Sequence, residues 1–289
     1  MGSGLAKTLL SREVLALACG AMIGWSWVLL TGEWLSRAGT MGTVLAFMVG
    51  SSIVILISLA YAELASAMPL AGGEHHYTKR ALGYTSSFIA SWAVVIAYVT
   101  VCVFESAALP TALQYLFPDL GVGLLWSVAG SPVYASLVAV GAIGAALMTF
   151  INYVGIRFAA FVQTLMTVLF IAVGLLFFLG VGISEPPASR VPEFTQGIAG
   201  ILGVLVMVPA LLVGFDVIPQ SAEEINLPPN RIGGLLVISV CLAGGWYIAI
   251  SLAVGNALSG PDLDASSMPT ADAMAAVWSS SVLGQVMLL

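Results

Sequence analysis

The chain has 289 residues, of which 60% are hydrophobic and 8% charged, and its mean hydropathy is +1.07. A soluble domain has about 25% charged residues and cannot bury this much apolar surface, whereas a bilayer accepts about 20 apolar residues per helical crossing. The net charge of -6 comes mainly from acids between the apolar runs, and no basic run with interleaved aromatic residues indicates nucleic-acid binding. We therefore expect an integral membrane protein that contacts the lipid bilayer and has no nucleic-acid partner.

Apolar runs predict seven membrane spans and the start of an eighth, which is cut off at Leu289. The predicted spans are 13–33, 41–68, 84–109, 132–152, 156–182, 197–220 and 231–258, and the eighth begins near 271. Short segments rich in Pro, Gly and Ser separate the spans, and the pattern leaves no room for a soluble domain. The sequence thus predicts an all-α membrane protein in which residues 1–289 form one domain.

The distribution of basic residues predicts the orientation of these spans. If the N-terminus is cytoplasmic, the inner segments carry Lys7, Arg12, Lys79, Arg80, Arg157 and Arg231. The outer segments then carry only Arg37 and Arg190. Because Lys and Arg favour the cytoplasmic side, this division predicts a multi-pass protein of the cell membrane with its N-terminus in the cytoplasm.

Two of the predicted spans contain residues that interrupt helices. The first span has Gly20 and Gly24 at mid-membrane, followed by Trp25 and Ser26, and the sixth has Pro209, Gly214, Asp216 and Pro219. Either interruption alone is explained equally well by close helix packing, since Gly and Pro are common in membrane helices. Interruptions in the first and sixth spans together are typical of an inverted-repeat transporter built from five-helix units.

This spacing predicts a first repeat over 13–182 and a partial second repeat over 197–289. The N-terminus of a half-helix offers free N–H groups and the positive end of a dipole, which suit a carboxylate. Unwound carbonyls and a half-helix C-terminus suit an ammonium group or a cation. Two such interruptions together predict a site for a zwitterion, such as a free amino acid.

The remaining reactive side chains do not form a pattern typical of an enzyme or a metal site. Cys19, Cys102 and Cys241 lie far apart in apolar segments, and His75 and His76 are adjacent in one predicted inner loop. The spans contain neither paired aspartates, nor an H-E-x-x-H motif, nor a Ser–His pair. We therefore expect no catalytic residues, no metal site and no cofactor.

Three motifs resemble those of the amino acid–polyamine–organocation permeases. They are "YAELASAMPLAGGEHHYTKRALG" (61–83), "GAMIGWSW" (20–27) and "GFDVIPQSAEEI" (214–225). The resemblance implies a leucine-transporter-like fold, typically of about twelve helices, that moves amino acids or related amines by secondary transport. It also implies that this chain is an N-terminal fragment truncated in the eighth span. A polyamine or organic-amine exchanger and a non-transporting sensor with the same fold are the alternatives.

The resemblance implies that the two broken helices contact the substrate. The substrate-binding residues would be Ile23, Gly24, Trp25, Ser26, Gly214, Phe215 and Asp216. At the cytoplasmic end of the sixth span, Glu223 and Glu224 would form ion pairs near Arg231 that hold an inner gate. Glu63, near the end of the second span, would have a gate or packing role.

Glu105 lies in the apolar third span, and the family pattern does not account for it. An ionisable group inside a span usually faces a cavity or a partner, and one interpretation is a proton-coupling or amine-binding carboxylate. The alternative is a carboxylate near the outer interface that reaches water or bonds a neighbouring helix. Some members carry a lysine in the fifth span that replaces a coupling cation, but no lysine occurs there in this sequence. The coupling ion, H+ or Na+, is therefore left open.

Overall fold

The structure is a computed structural model that describes residues 7–128 and 130–288, and the described chain is mostly helical. The α-helices are α1 (Ser11–Ile23), α2 (Ser26–Leu29), α3 (Thr31–Ala67), α4 (Glu74–Leu82), α5 (Tyr84–Leu116), α6 (Ala135–Val154), α7 (Ile156–Ile183), α8 (Gly197–Leu205), α9 (Val208–Leu211), α10 (Val217–Gln220), α11 (Pro229–Ala257), α12 (Gly260–Ala265), α13 (Pro269–Trp278) and α14 (Ser281–Val286). Two 3-10 turns occupy Pro118–Leu120 and Ala222–Glu224, and the strands are β1 (Leu124–Val128) and β2 (Ser131–Tyr134).

Six of the described helical segments are long and apolar enough to cross a bilayer, which confirms a multi-pass membrane protein. They are Ser11–Leu29, Thr31–Ala67, Tyr84–Leu116, Ala135–Val154, Arg157–Ile183 and Pro229–Ala257, and the shorter apolar segment Gly197–Leu211 belongs to the sixth span. The first and sixth spans are broken, as the sequence predicts. The division into repeats at 13–182 and 197–289 stays a prediction.

The first and second spans meet inside α3. Gly39 has φ 75° and ψ 176°, so α3 bends there and comprises the end of the first span and the whole second span. The N–H groups of Thr40 and Met41 donate to the carbonyls of Pro192 and Glu193, both at 2.9 Å. A Cβ at Gly39 would lie 2.6 Å from the Pro192 carbonyl oxygen, so glycine is required for this approach.

The third span is longer than the sequence predicts, because Pro110 lies inside α5 and does not end it. A proline leaves the carbonyl four residues before it without a helical donor, here that of Ser106. Gly141 of α6 approaches this carbonyl so closely that a Cβ would lie 2.5 Å from its oxygen. The predicted short loop beyond α5 contains a 3-10 turn and the antiparallel hairpin of β1 and β2, with Leu124 opposite Tyr134.

The eighth span begins as predicted but turns back within the described residues. Helix α13 ends at Trp278, and Ser279 adopts φ 48°. The Ser280 hydroxyl then accepts a hydrogen bond from the N–H of Leu283 and caps α14, which packs against α13 through Gly284. Serine favours such N-caps over helix interiors, and three consecutive serines after Trp278 provide the break.

An aromatic core joins α3 to α11 at the centre of the bundle. The rings of Phe47 and Tyr247 stack at 5.0 Å with an interplanar angle of 8°, and Trp34 packs edge-on against both. All three side chains are completely or almost completely buried. Aromatic pairs at these separations stabilise the core beyond their buried area. The position of α11 against α3 is thereby fixed, and Tyr247 is placed beside the broken helices.

Backbone hydrogen bonds close one end of the bundle, the end that carries the N-terminus. Thr8 and Leu9 donate to the carbonyl of Glu224 at 2.9 and 3.0 Å, and Asn226 donates to the carbonyl of Leu9 at 2.9 Å. Leu9 and Ile225, which pair as a parallel bridge, are 2% and 1% exposed. We call residues 8–9 and 224–226 the N-terminal gate, and its two segments are hydrogen-bonded to each other in this structure.

Candidate functional site

The first break separates α1 from α2. Gly24 has φ 42° and ψ -149°, a conformation that favours glycine, and Trp25 precedes the first residue of α2. The break leaves the carbonyls of Met22 and Ile23 without helical donors. The Ser26 hydroxyl donates to the Ile23 carbonyl at 3.2 Å.

The second break lies between α9 and α10, at residues 212–216. Gly214 has φ 129°, and Asp216 is the N-cap of α10. The Asp216 carboxylate accepts hydrogen bonds from the Gly214 N–H at 3.2 Å, the Tyr98 hydroxyl at 2.9 Å and the Gln220 amide at 2.9 Å. These three protein donors bond both carboxylate oxygens, so Asp216 holds the break in shape.

The two breaks are in direct contact. A Cβ at Gly214 would lie 2.7 Å from Cβ of Ala21 and 2.9 Å from its backbone carbon. Only a residue without a side chain allows α1 to come this close to the second break. Two features therefore require glycine at position 214: the positive φ, and the lack of room for a Cβ beside Ala21.

Tyr247 of α11 connects the two breaks through its hydroxyl group. It donates to the Met22 carbonyl at 2.7 Å and lies 2.7 Å from the Ser26 hydroxyl. The Leu211 carbonyl, which precedes the second break, is 3.4 Å away. Thr270 of α13 plays a similar role beyond the first break, donating to the carbonyl of Trp27 at 3.1 Å.

Neither Tyr247 nor Thr270 is among the site residues predicted from the sequence. The only signal for Tyr247 is a single phenol in the otherwise apolar middle of the seventh span, after Gly244 and Gly245. The hydroxyl of a buried tyrosine usually has a hydrogen-bond partner, but the sequence does not identify that partner.

Glu105 lies at the first break, where it bonds the neighbouring first span. Its Oε1 accepts a hydrogen bond from the N–H of Trp25 at 3.3 Å, and a Cβ at Gly24 would lie 2.5 Å from the same oxygen. Glu105 is half-buried. A carboxylate from the third span thus occupies the N–H end of the first break, where the dipole favours negative charge.

The predicted side chains of both breaks come together, with different degrees of burial. Ile23 and Ser26 are 6% and 7% exposed, while Trp25, Phe215 and Asp216 are half-buried. The Phe215 ring packs edge-on against Tyr61 of α3 at 5.3 Å.

The predicted ion pairs of Glu223 and Glu224 with Arg231 are wrong. The one salt bridge among residues 7–128 and 130–288 joins Arg37 to Glu33. The chain leaves the helix after Glu224 in extended conformation and pairs with Leu9, while Arg231 is exposed on the first turn of α11. Glu223 instead accepts a hydrogen bond from the Ala71 N–H at 3.3 Å.

Two further predictions concern residues that lie apart from the breaks. Glu63 is exposed, and its gate or packing role stays a prediction. His75 and His76 belong to helix α4 and not to a loop, and the His75 ring lies 2.9 Å from the Ser87 hydroxyl and 3.2 Å from that of Ser91.

The fifth span contacts α1 through neutral polar side chains. The Gln163 side chain packs directly on Gly20, and the Thr167 hydroxyl lies 3.3 Å from the Ala16 carbonyl. These neutral groups lie against α1 near its broken end.

Comparison with known proteins agrees with this geometry. The family model described as amino acid permease matches residues 12–289. The chain is 25% identical over 252 residues to the branched-chain amino acid permease BcaP of Bacillus subtilis (strain 168), covering 86% of this chain and 54% of the relative. It is 24% identical over 254 residues to the methylthioribose transporter of the same organism, with coverage of 86% and 54%.

A plant relative gives a similar match. The chain is 28% identical over 269 residues to the chloroplastic cationic amino acid transporter 9 of Arabidopsis thaliana, with coverage of 87% of this chain and 47% of the relative. The chain thus spans about half the length of these curated relatives. The family match extends over nearly all of the chain and confirms the resemblance of the three motifs, so the chain belongs to the amino acid permease family.

Proposed function

We propose that the protein containing this chain is a secondary transporter that moves an amino acid by alternating access. The observation that carries this proposal is the contact between the two breaks, where Gly214 packs on Ala21 and the Tyr247 hydroxyl lies 2.7 Å from the Met22 carbonyl and 3.4 Å from the Leu211 carbonyl. The substrate would bind between the unwound segments, its charged groups facing the half-helix ends. An enzymatic activity has no support in this arrangement.

The membrane orientation is part of the same proposal. Lys7, Arg12, Lys79, Arg80, Arg157 and Arg231 belong to segments at the end that carries the N-terminal gate, and only two basic residues belong to the other end. By the positive-inside rule this end faces the cytoplasm of a cell membrane. The closed N-terminal gate then blocks the cytoplasmic side in this conformation.

Uptake measurements on the full natural protein in proteoliposomes test the proposed function. A panel of radiolabelled amino acids, polyamines and methylthioribose would be offered with and without proton and sodium gradients. We expect uptake of one amino-acid class and loss of that uptake in Asp216→Ala, because three hydrogen-bond donors around the second break lose their acceptor. Uptake of an amine alone would favour the exchanger, and folded protein that moves no compound would favour a sensor.

Glu105 is proposed to bind the ammonium group of the substrate. Its Oε1 is held by Trp25, which leaves the second oxygen for a cation at the break. We expect Glu105→Gln to raise the apparent KM about tenfold or more, since a hydrogen bond to a charged group contributes about 1.5–3 kcal/mol. Glu185→Gln is the matched control, because Glu185 is exposed between α7 and α8. Equal KM values for the two variants would contradict this role.

A further inference from the structure

A second buried carboxylate, that of Glu74, lies outside the two breaks and is not used by the proposed transport mechanism. Glu74 is the first residue of α4 and is 8% exposed. The preceding loop packs on the end of the sixth span, where the Gly72 N–H donates to the Gln220 carbonyl at 3.2 Å. Gly73, with φ 23°, lies so close to Pro219 that a Cβ would be 3.0 Å from its side chain. Glu74 is therefore enclosed by backbone contacts that hold while the loop stays docked.

The groups that face Glu74 are acidic or neutral. Asp216 faces it from the second break, Tyr61 from α3, Tyr98 from α5 and Tyr77 from its own helix. The Gln220 amide lies beside both carboxylates and donates to Asp216 at 2.9 Å. Glu74 has no salt bridge within the part of the chain that the structure describes.

Two polar atoms in this cluster are buried without a hydrogen-bond partner among the described residues. They are Oε1 of Glu74 and the hydroxyl oxygen of Tyr77, whose side chain is 6% exposed. An ionised carboxylate in such a place is costly, because its side chain is 8% exposed and no basic side chain of the described residues pairs with it. Burial accordingly raises the pKa of Glu74 to about 7. A backbone hydrogen bond at Glu74 and the Gln220 amide oppose this shift, and the negative charge of Asp216 adds to it.

We infer that Glu74 is a proton-binding site that holds the N-terminal gate closed. This inference rests on the proposed function for its place in a transport cycle. Glu74 carries a proton while the 69–73 loop is docked on Pro219 and Gln220, as in this structure. When the loop separates and the gate opens, the carboxyl group meets water, regains its ordinary acidity and releases the proton to the same side of the membrane. The bond that breaks is the carboxylic O–H, and the acceptor is water.

The sign of the pH dependence follows from which state binds the proton more tightly. The closed state binds it with a pKa of about 7, and the open state with the ordinary value of 4.5. The closed state is therefore fully favoured below pH 4.5, loses this advantage as the pH rises to about 7, and does not change further above that value. Across this window the ratio of open to closed gate is expected to rise on the order of 100-fold.

Infrared spectroscopy of the full natural protein tests the proton site directly. We expect a carboxylic-acid C=O band that disappears as the pH is raised through about 7. The band should be absent in Glu74→Gln and present in Asp216→Asn and Tyr77→Phe. A band that persists in Glu74→Gln, or that is lost in Asp216→Asn instead, would overturn the assignment.

Cysteine labelling tests the link between this proton and the gate. In a cysteine-free background, Ser221→Cys reports opening, since Ser221 lies beside Leu9 and Ile225. Its labelling rate is divided by that of Arg80→Cys, an exposed site on α4, which removes the pH dependence of the thiol itself. We expect the ratio to rise on the order of 100-fold from pH 4.5 to 8, and to stay low and constant with Glu74→Gln.

The same pH dependence in Glu74→Gln would overturn the inference. Neither measurement requires transport, so they remain informative if the proposed function fails. A protein that passes both tests but takes up no amino acid would contradict the proposed function and leave the proton site in place.

Discussion

Replacing Gly214 by alanine is expected to abolish transport and to lower the free energy of unfolding by about 2 kcal/mol or more. The backbone at Gly214 has φ 129°, which a residue with a Cβ rarely adopts. The added carbon would also lie 2.7 Å from the Ala21 side chain and 3.0 Å from the Met22 nitrogen. Because these neighbours are backbone and a short side chain, the variant can relax only by separating the two breaks.

Gly245→Ala is the matched control for this prediction. Gly245 lies in α11, and a Cβ built there has no neighbour within 4 Å among the described residues apart from the adjacent residues and backbone of its own helix. Gly245→Ala should leave uptake in proteoliposomes unchanged and should not lower the unfolding temperature in detergent, since alanine has a higher helix propensity than glycine. Wild-type uptake by Gly214→Ala would show that contact between the breaks is not required for transport.

Removing the hydroxyl of Tyr247 should have the second-largest effect. Tyr247→Phe keeps the ring that stacks on Phe47 but leaves the Met22 carbonyl and the Ser26 hydroxyl without this partner. An unsatisfied buried polar group costs about 1–3 kcal/mol. We expect kcat/KM for uptake to fall about tenfold to 100-fold, because the hydroxyl sets the position of the first break relative to the second.

Tyr153→Phe in α6 serves as the control, because Tyr153 is 87% exposed and its hydroxyl does not contact the breaks. Both variants would be compared by initial uptake rates over a range of substrate concentrations. If Tyr247→Phe changed only the unfolding temperature and left kcat/KM at the wild-type value, Tyr247 would be a core residue without a role in the site.

The broken helices were predictable because their cause is local. Gly24 and Gly214 adopt positive φ values, and a glycine in an apolar span is visible in the sequence. Gly39 also has a positive φ. The need for glycine there comes from the close carbonyls of Pro192 and Glu193, which lie about 150 residues away in the chain. Where α5 continues through Pro110, Gly141 of another helix likewise approaches a carbonyl that is distant in the sequence, that of Ser106.

The contacts between spans were not predictable, because apolar helices in a membrane lack the polar face that marks the exposed side of a soluble helix. Tyr247 and Thr270 lie in such runs, and only the packing shows that their hydroxyls meet the first break. The closeness of opposite charges in the sequence was also a misleading guide to ion pairs. Glu223, Glu224 and Arg231 are close in sequence, but the extended segment after Glu224 bonds the N-terminal residues instead.

The hydrogen-bond partner of Glu105 was likewise not predictable from the sequence. The sequence indicates that a carboxylate in a span has a partner or faces a cavity, but it does not identify the partner. The structure identifies it as the N–H of Trp25, 80 residues earlier.

The most direct test of the central claim is substrate protection of one cysteine in each break. Ser26→Cys and Phe215→Cys would be labelled in the cysteine-free full protein, with and without a saturating amount of the transported amino acid, and Arg80→Cys would serve as the control. We predict that the substrate slows labelling of both break positions at least about tenfold and leaves Arg80→Cys unchanged. Saturable transport with no protection at either break would contradict a substrate site between the two broken helices.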